Sequence, residues 1–299
     1  MDSINNILVA LSDTAEARFV LEKVLILAKA GQAKVHVVSV VYEGIAELTI
    51  DEIEDSARLK TLILESAESA LEELVDPLRA QLPAIECATL WNRNAWEGVL
   101  HAAEAVEADL IVKPATLHEK FGDVVRTPDD WNLLRHASVP VMLVKPQAWV
   151  DEPVLLCAVD PFDDAHANLN AAMLREGRAL ADMLGGELHV VCAYPLFEPW
   201  VGELGAVRSY AEIKENVERE IIRRVDAIAA RAGVKFAMLH AEEGYPTHTI
   251  GAVAELTGAE LVIVGTHARE GVRGLLLGNT SERILHAVAT DVLTMHGTD

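Results

Sequence analysis

The chain repeats itself, and this internal repeat restricts the fold more than any other feature of the sequence. Ile4–Asp13 (INNILVALSD) resembles Glu152–Asp160 (EPVLLCAVD), because both are short apolar segments that end in Asp. Two further pairs of similar segments share one offset of 151 residues, beginning at 106 and 257 and at 137 and 288. A shared offset is not expected from chance, so the chain consists of two copies of one unit.

The join between the copies falls in a short segment with two prolines, Lys145–Pro153 (KPQAWVDEP). Such composition is typical of a boundary between domains. We therefore expect one domain over residues 1–147 and a second over residues 148–299.

Each half alternates short apolar runs with longer segments of helical period, such as Leu169–Gly186 and Ser209–Gly233. Strands that are apolar on both faces and alternate with helices indicate a parallel sheet covered on both sides. The predicted fold class is α/β, with two tandem doubly wound (Rossmann-like) domains of about five parallel strands each. Ligands of such sheets bind outside the carboxyl ends of the strands, where the strand order reverses. Asp160 and the loop that begins at Gly265 are expected at that edge.

Charge and hydropathy exclude several classes of partner. The chain has 25 basic and 47 acidic residues, a net charge of −22, which disfavours nucleic acids and anionic membrane surfaces. No run of 18 uncharged apolar residues occurs, so no membrane span is expected. The first residues, Met1–Asp13, lack a basic region and a cleavage-like site, which favours a cytoplasmic protein without a signal peptide.

The sequence also favours the absence of a metal cofactor. His240–His248 (HAEEGYPTH) contains two His and two Glu, but its spacing matches no known metal site and favours a solvated loop. His36 and His189 lie within predicted strands, where a structural role is favoured. The three cysteines lie in apolar segments that favour buried thiols: Cys87, Cys157 and Cys192.

The loop after the fourth predicted strand of the second half carries a glycine pattern. Gly265, two residues, Ala268, nine residues, Gly278 and Asn279 follow one another there. This spacing resembles the nucleotide-binding pattern of the universal stress protein family, with Ala and Asn in place of a Gly and a hydroxyl residue. The resemblance extends over the whole chain as two tandem domains.

Three further segments resemble the E-type members of this family, which have two domains in tandem: Thr127–Arg135, Val141–Trp149 and Leu276–Thr280. The resemblance implies that the domains pair through their last strands as an intrachain pseudo-dimer. A homodimer through other faces stays open.

The resemblance also implies which residues hold an adenine nucleotide, ATP, ADP or AMP, with Mg²⁺ only alongside ATP. Asp160 and Ala193 would contact adenine, and their first-half equivalents are Asp13 and Val40. Arg269 adds positive charge to the loop. The phosphates would be surrounded by Gly265, Ala268, Gly278, Asn279 and Thr280.

The first half lacks the glycines of this pattern. The 151-residue offset places Pro114 opposite Gly265, and Thr127–Asp130 opposite residues 278–281. Thr127, Pro128 and Asp130 indicate a self-capped helix start, and its carboxylates would repel a phosphate. We therefore expect nucleotide only in the second half, where Gly265 and Gly278 would adopt positive φ and admit a ligand closely.

The sequence predicts a stress-response binding or regulatory module rather than an enzyme, since it carries no recognisable catalytic arrangement. Three alternatives stay open: a slow ATPase in the second domain, a ligand-free interaction scaffold, and an apolar ligand in the first domain. The last alternative competes with ordinary packing as the reason for four first-half tryptophans: Trp91, Trp96, Trp131 and Trp149.

Overall fold

The computed structural model describes residues 4–11, 14–44, 53–115, 129–195, 210–266, 284–285 and 288–297. The chain divides into two compact units, Met1–Ala148 and Trp149–Asp299. Among the described helices, none combines the length and the apolar character needed to cross a membrane.

The first unit contains a parallel sheet with the strand order β3-β2-β1-β4-β5. Its strands are β1 (Asn6–Ala10), β2 (Lys34–Val41), β3 (Ile85–Trp91), β4 (Leu110–Pro114) and β5 (Val141–Val144). Its helices are α1 (Thr14–Gly31), α2 (Ile53–Arg79), α3 (Ala95–Ala105) and α4 (Asp129–His136).

The second unit repeats this topology with the order β10-β9-β6-β7-β8, again all parallel. Its strands are β6 (Val154–Ala158), β7 (Glu187–Tyr194), β8 (Met238–Glu243), β9 (Ala259–Thr266) and β10 (Asp291–His296). Its helices are a short 3-10 turn (Asp164–His166), α5 (Ala167–Leu184), α6 (Tyr210–Ala232) and α7 (Pro246–Thr257).

The central strands are buried on both faces, as their unbroken apolar sequences predict. In β6, Leu155, Leu156 and Cys157 are fully buried, so side chains on both faces of the strand are covered. The prediction of two tandem α/β units with parallel sheets is confirmed. Pairing of the units through their last strands stays a prediction.

Glycines end two helices of the second unit by adopting left-handed backbone geometry. Gly185 follows α5 with φ of 68°, and Gly258 follows α7 with φ of 63°. A residue without Cβ adopts this conformation at little cost, and the chain can turn directly into the next strand.

The residue after the first of these caps is glycine for a steric reason. Gly186 N–H donates to the carbonyl of Ala181, and Glu187 N–H donates to the carbonyl of Pro153. A Cβ on Gly186 would lie 2.0 Å from the Pro153 oxygen. The start of β7 can therefore approach β6 only with glycine at this position.

Replacing Gly186 with Ala is expected to lower the free energy of unfolding by roughly 1–3 kcal/mol, because the added methyl group forces the backbone apart. Urea unfolding measures the loss. Gly44→Ala is the matched control, since the nearest atoms to its Cβ lie 3.9 Å away. Equal stability of the two variants would contradict the steric account.

Candidate functional site

The carboxyl edge of the second sheet brings together three residues that the sequence predicted for one site. Strand β6 lies between β9 and β7, so β7 and β8 extend the sheet on one side of it, β9 and β10 extend it on the other, and the strand order reverses beside β6. Asp160 lies two residues beyond β6, and Ala193 and Gly265 are the penultimate residues of β7 and β9. Parallel strands place all three at the same edge of the sheet.

The remaining predicted site residues, Ala268, Arg269, Gly278, Asn279 and Thr280, lie outside the described residues. Their participation in the site stays a prediction. Asp13, the first-half counterpart of Asp160, also lies outside the described residues.

A buried amide on α5 holds the backbone of Asp160. Asn170 Nδ2 donates to the Asp160 carbonyl at 2.7 Å, and its Oδ1 accepts from the Asp160 N–H at 3.4 Å. Asn170 is only 3% exposed. Because a buried amide is costly unless it is hydrogen-bonded, this pairing determines where the chain emerges from β6.

Sequence reasoning missed Asn170, although a polar residue on an otherwise apolar helix face was a usable signal. The matching position of the first unit carries no amide. His36 and His189 occupy matching places in β2 and β7, 153 residues apart, and the same offset places Ala17 opposite Asn170. At this helix position the amide is therefore present in the second unit and replaced by a methyl group in the first.

The carboxylate of Asp160 has partners of its own. Oδ1 accepts from the Phe162 N–H at 3.1 Å, and Oδ2 lies 3.3 Å from His166 Nδ1. The side chain is nevertheless 56% exposed. A carboxylate offers about four acceptor positions, so a donor on a ligand can still reach it.

Ala193 lies in β7 between two buried side chains. Burial raises the pKa of the Cys192 thiol to about 12, and the negative charge of Asp160 acts in the same direction. Tyr194 Oη donates to Glu218 Oε1 on α6 at 3.0 Å. Burial, followed by this hydrogen bond, raises the pKa of the tyrosine. The strand end beside Ala193 is thus held by α6.

Gly265 does not have the positive φ expected from its place in the glycine pattern. It lies within β9 and pairs with Met295 of β10, and its φ is outside the left-handed region. A Cβ here would lie 2.6 Å from Leu169 Cδ2 and 2.8 Å from Met173 Sδ on α5. The prediction was wrong because close packing of the helix on the sheet, not backbone geometry, requires glycine.

A polar pair that the sequence did not single out follows Gly265 directly. Thr266 Oγ1 lies 2.7 Å from His296 Nδ1, joining the carboxyl ends of β9 and β10. Thr266 is buried. The available signal was a hydroxyl residue next to the first glycine of the pattern.

The corresponding edge of the first unit contains an ion pair. Lys113 Nζ, near the end of β4, donates to Asp130 Oδ1 in the first turn of α4. Both side chains are largely buried. Thr127 and Pro128 lie outside the described residues, so the capped start of this helix stays a prediction. The ion pair places a carboxylate near the position that the offset assigns to the phosphate loop.

The first-unit tryptophans with described contacts pack against neighbours. The Trp96 ring stacks on His136 of α4, with ring centroids 4.9 Å apart. Trp91 contacts Tyr42 at 5.6 Å, and Lys60 Nζ lies 5.0 Å from the Trp91 ring centroid. These contacts favour a packing role for both residues.

The segment expected to be a solvated loop is partly a strand. His240 lies in β8, and its Nε2 is 3.2 Å from His189 Nδ1, while His189 Nε2 is 3.3 Å from Glu187 Oε2. Desolvation, followed by proximity to His189, lowers the pKa of His240. The loop prediction was wrong because β8 (MLHAEE) has three polar residues in six and no fully buried side chain, so its sequence does not show that it pairs with β7. The described residues contain no cluster of metal-ligating groups.

Replacing Asn170 with Ala is expected to lower the free energy of unfolding by roughly 1–3 kcal/mol, because it leaves part-buried backbone groups of Asp160 without their partner. Chemical denaturation measures this loss. Asn168→Ala is the control, since Asn168 is exposed on the same helix. Its stability should stay within about 0.5 kcal/mol of the parent. An Asn170→Ala protein as stable as the control would show that the amide does not hold the strand end.

Replacing Lys113 with Met is expected to destabilise the protein by roughly 3–5 kcal/mol, because it deprives a buried carboxylate of its ammonium partner. Thermal and urea unfolding both report the change. Lys29→Met provides the comparison, because Lys29 makes an exposed hydrogen bond to Gln81. Similar losses in the two variants would argue against a structural role for the ion pair.

Comparisons with known proteins agree with this repeated architecture. The sequence model of the Universal stress protein family matches residues 3–145 and 154–296. Universal stress protein E of Escherichia coli (strain K12) is 31% identical over 226 residues, covering 73% of this chain and 70% of that protein. The Universal stress protein E homolog of Haemophilus influenzae is 26% identical over 296 residues, covering 96% of each.

A solved structure of a putative universal stress protein from Pseudomonas aeruginosa has a TM-score of 0.73 with this chain at 25% identity. The match covers 98% of this chain and 93% of that one. Because the family matches span both units, the chain belongs to the universal stress protein family, as a tandem-domain protein similar to universal stress protein E.

Proposed function

We propose that the second unit binds an adenine nucleotide, ATP, ADP or AMP, at the carboxyl edge of its sheet. The observation that carries the proposal is the convergence of Asp160, Ala193 and Gly265 beside the reversal in strand order. In open α/β sheets this is where ligands bind. The adenine amine donates to the Asp160 carboxylate, and the backbone at Ala193 borders the base.

The phosphates extend from there toward the loop after Gly265. Ala268, Arg269, Gly278, Asn279 and Thr280 contact them in this proposal. Three arginines in that loop and its continuation, against two glutamates, give positive charge to a segment of an otherwise acidic chain. The amide of Asn279 can donate to a phosphate oxygen in place of a hydroxyl. Mg²⁺ accompanies the ligand only when it is ATP.

The two units differ in the features that support binding. Asn170 fixes Asp160 in the second unit, and the first unit has Ala17 at that position. The Lys113–Asp130 ion pair adds a carboxylate at the first unit's edge. Since this pairing neutralises the charge of Lys113, the pair has no net positive charge with which to attract a phosphate, and the proposal assigns one nucleotide to each chain.

The proposed role is that of a cytoplasmic module of the stress response, the role that the family name indicates. Its regulatory activity would depend on whether the nucleotide is bound. Turnover of ATP would need a group that positions water, and the proposal does not require one. Binding rather than hydrolysis is therefore the activity to test first.

Isothermal titration of the full chain with ATP and with AMP is expected to give one site per chain. Asp160→Ala should weaken binding about ten- to a hundredfold, because losing a hydrogen bond to a charged group costs roughly 1.5–3 kcal/mol. Gly278→Asp should abolish binding, since it adds a negative charge to the phosphate loop.

Asp13→Ala, the equivalent change in the first half, is the matched control and should leave the affinity unchanged. A stoichiometry of two, or an affinity that Asp160→Ala does not alter, would rule out the assignment. Absence of any binding would favour the ligand-free scaffold.

A further inference from the structure

A histidine lies between two carboxylates beside the proposed adenine site. His166 ends the short 3-10 turn that connects β6 to α5. Its Nδ1 is 3.3 Å from Asp160 Oδ2, and its Nε2 is 3.7 Å from Asp163 Oδ2. The ring is 27% exposed, so solvent reaches it and a ligand can contact it.

The turn itself places this ring. Asp163 Oδ1 accepts from the Ala165 N–H at 3.0 Å, and the His166 N–H donates to the Asp163 carbonyl at 3.0 Å. On the preceding side, Arg224 of α6 donates to the Pro161 carbonyl at 3.2 Å. The position of the imidazole beside Asp160 is thus determined by hydrogen bonds on both sides of it.

This arrangement presents two kinds of hydrogen-bonding group at one place. The Asp160 carboxylate is only an acceptor, whereas a protonated nitrogen of His166 is a donor. An exocyclic amine on a base can donate to Asp160. A carbonyl at the same position of the base would be repelled by the carboxylate alone, but it can accept from a ring nitrogen of His166 that carries a proton, since the ring lies beside Asp160.

We infer that His166 is a specificity-determining residue of this site and that it lets the site accept purine nucleotides with either an amine or a carbonyl at position 6. The inference rests on the proposed function. A site that offered only an acceptor at this position would disfavour the carbonyl, because two acceptors facing one another repel and neither can donate. With His166 beside Asp160, neither group on the base is left without a partner.

The test is isothermal titration of the full chain with AMP and with IMP, which differ in this group and in the proton that hypoxanthine carries at N1, so the effect of His166 is measured as a change in their ratio between the parent and its variants. The parent protein is expected to bind the two with affinities within about tenfold of each other. His166→Ala should widen the ratio of IMP to AMP dissociation constants by about tenfold, mainly through weaker IMP binding, the loss expected for one hydrogen bond. His166→Gln keeps an N–H donor and should restore much of the IMP affinity.

His101→Ala is the control, since His101 is an exposed histidine on α3 of the first unit. It should leave both affinities unchanged. If AMP binds and the ratio of IMP to AMP dissociation constants is the same in the parent and in His166→Ala, the inference is overturned while the proposed function stays intact. Binding of neither nucleotide to the parent or to the variant would overturn both.

A ligand-free measurement checks the contact itself. Nitrogen-15 NMR of the imidazole rings should show the His166 signals moving in Asp160→Asn and the His101 signals staying in place. Unchanged His166 signals would show that the imidazole does not interact with Asp160 in solution, which would remove the basis of the inference.

Discussion

Parallel pairing of strands buried on both faces is the constraint on which each unit depends. Because β6 is hydrogen-bonded to β7 on one side and β9 on the other, its side chains have no exposed face on which to carry polar chemistry. Polar groups can accumulate only where the strands end. The buried core thus confines polar groups to the ends of the strands, and the carboxyl edge beside the reversal in strand order is where sheets of this kind bind ligands.

The two units share one architecture but differ in the polar groups at the carboxyl edge of the sheet. In the second, the buried amide of Asn170 on α5 holds the backbone of Asp160, and His166 lies beside its carboxylate. In the first, a lysine from β4 pairs with a carboxylate at the start of α4. None of these groups contributes to the repeated core. Their replacement during divergence could therefore change what each edge binds while the sheet stayed the same.

Gly265 shows that glycine can stand at a position of a sequence motif for more than one physical reason. Its position in a nucleotide-binding pattern suggests a role toward a ligand, yet Leu169 and Met173 occupy the space where a side chain would begin. Gly177 of α5 is close-packed in the same way, against Leu188 and Ile263. The helix lies near enough to the sheet that glycine is needed on both surfaces. A glycine in such a pattern therefore indicates close packing of a helix on the sheet as well as contact with a ligand.

Sequence alone determined the repeat, the α/β class, the parallel sheets and the edge at which Asp160 emerges, because these follow from local periodicity and from burial on both faces. It did not reveal that His240 lies in a strand against His189, that Asn170 holds Asp160, or that Lys113 pairs with Asp130. Those facts depend on contacts between residues 51, 10 and 17 positions apart. Only the tertiary structure decided them, because such pairs form when strand order and helix packing bring the side chains within hydrogen-bonding distance.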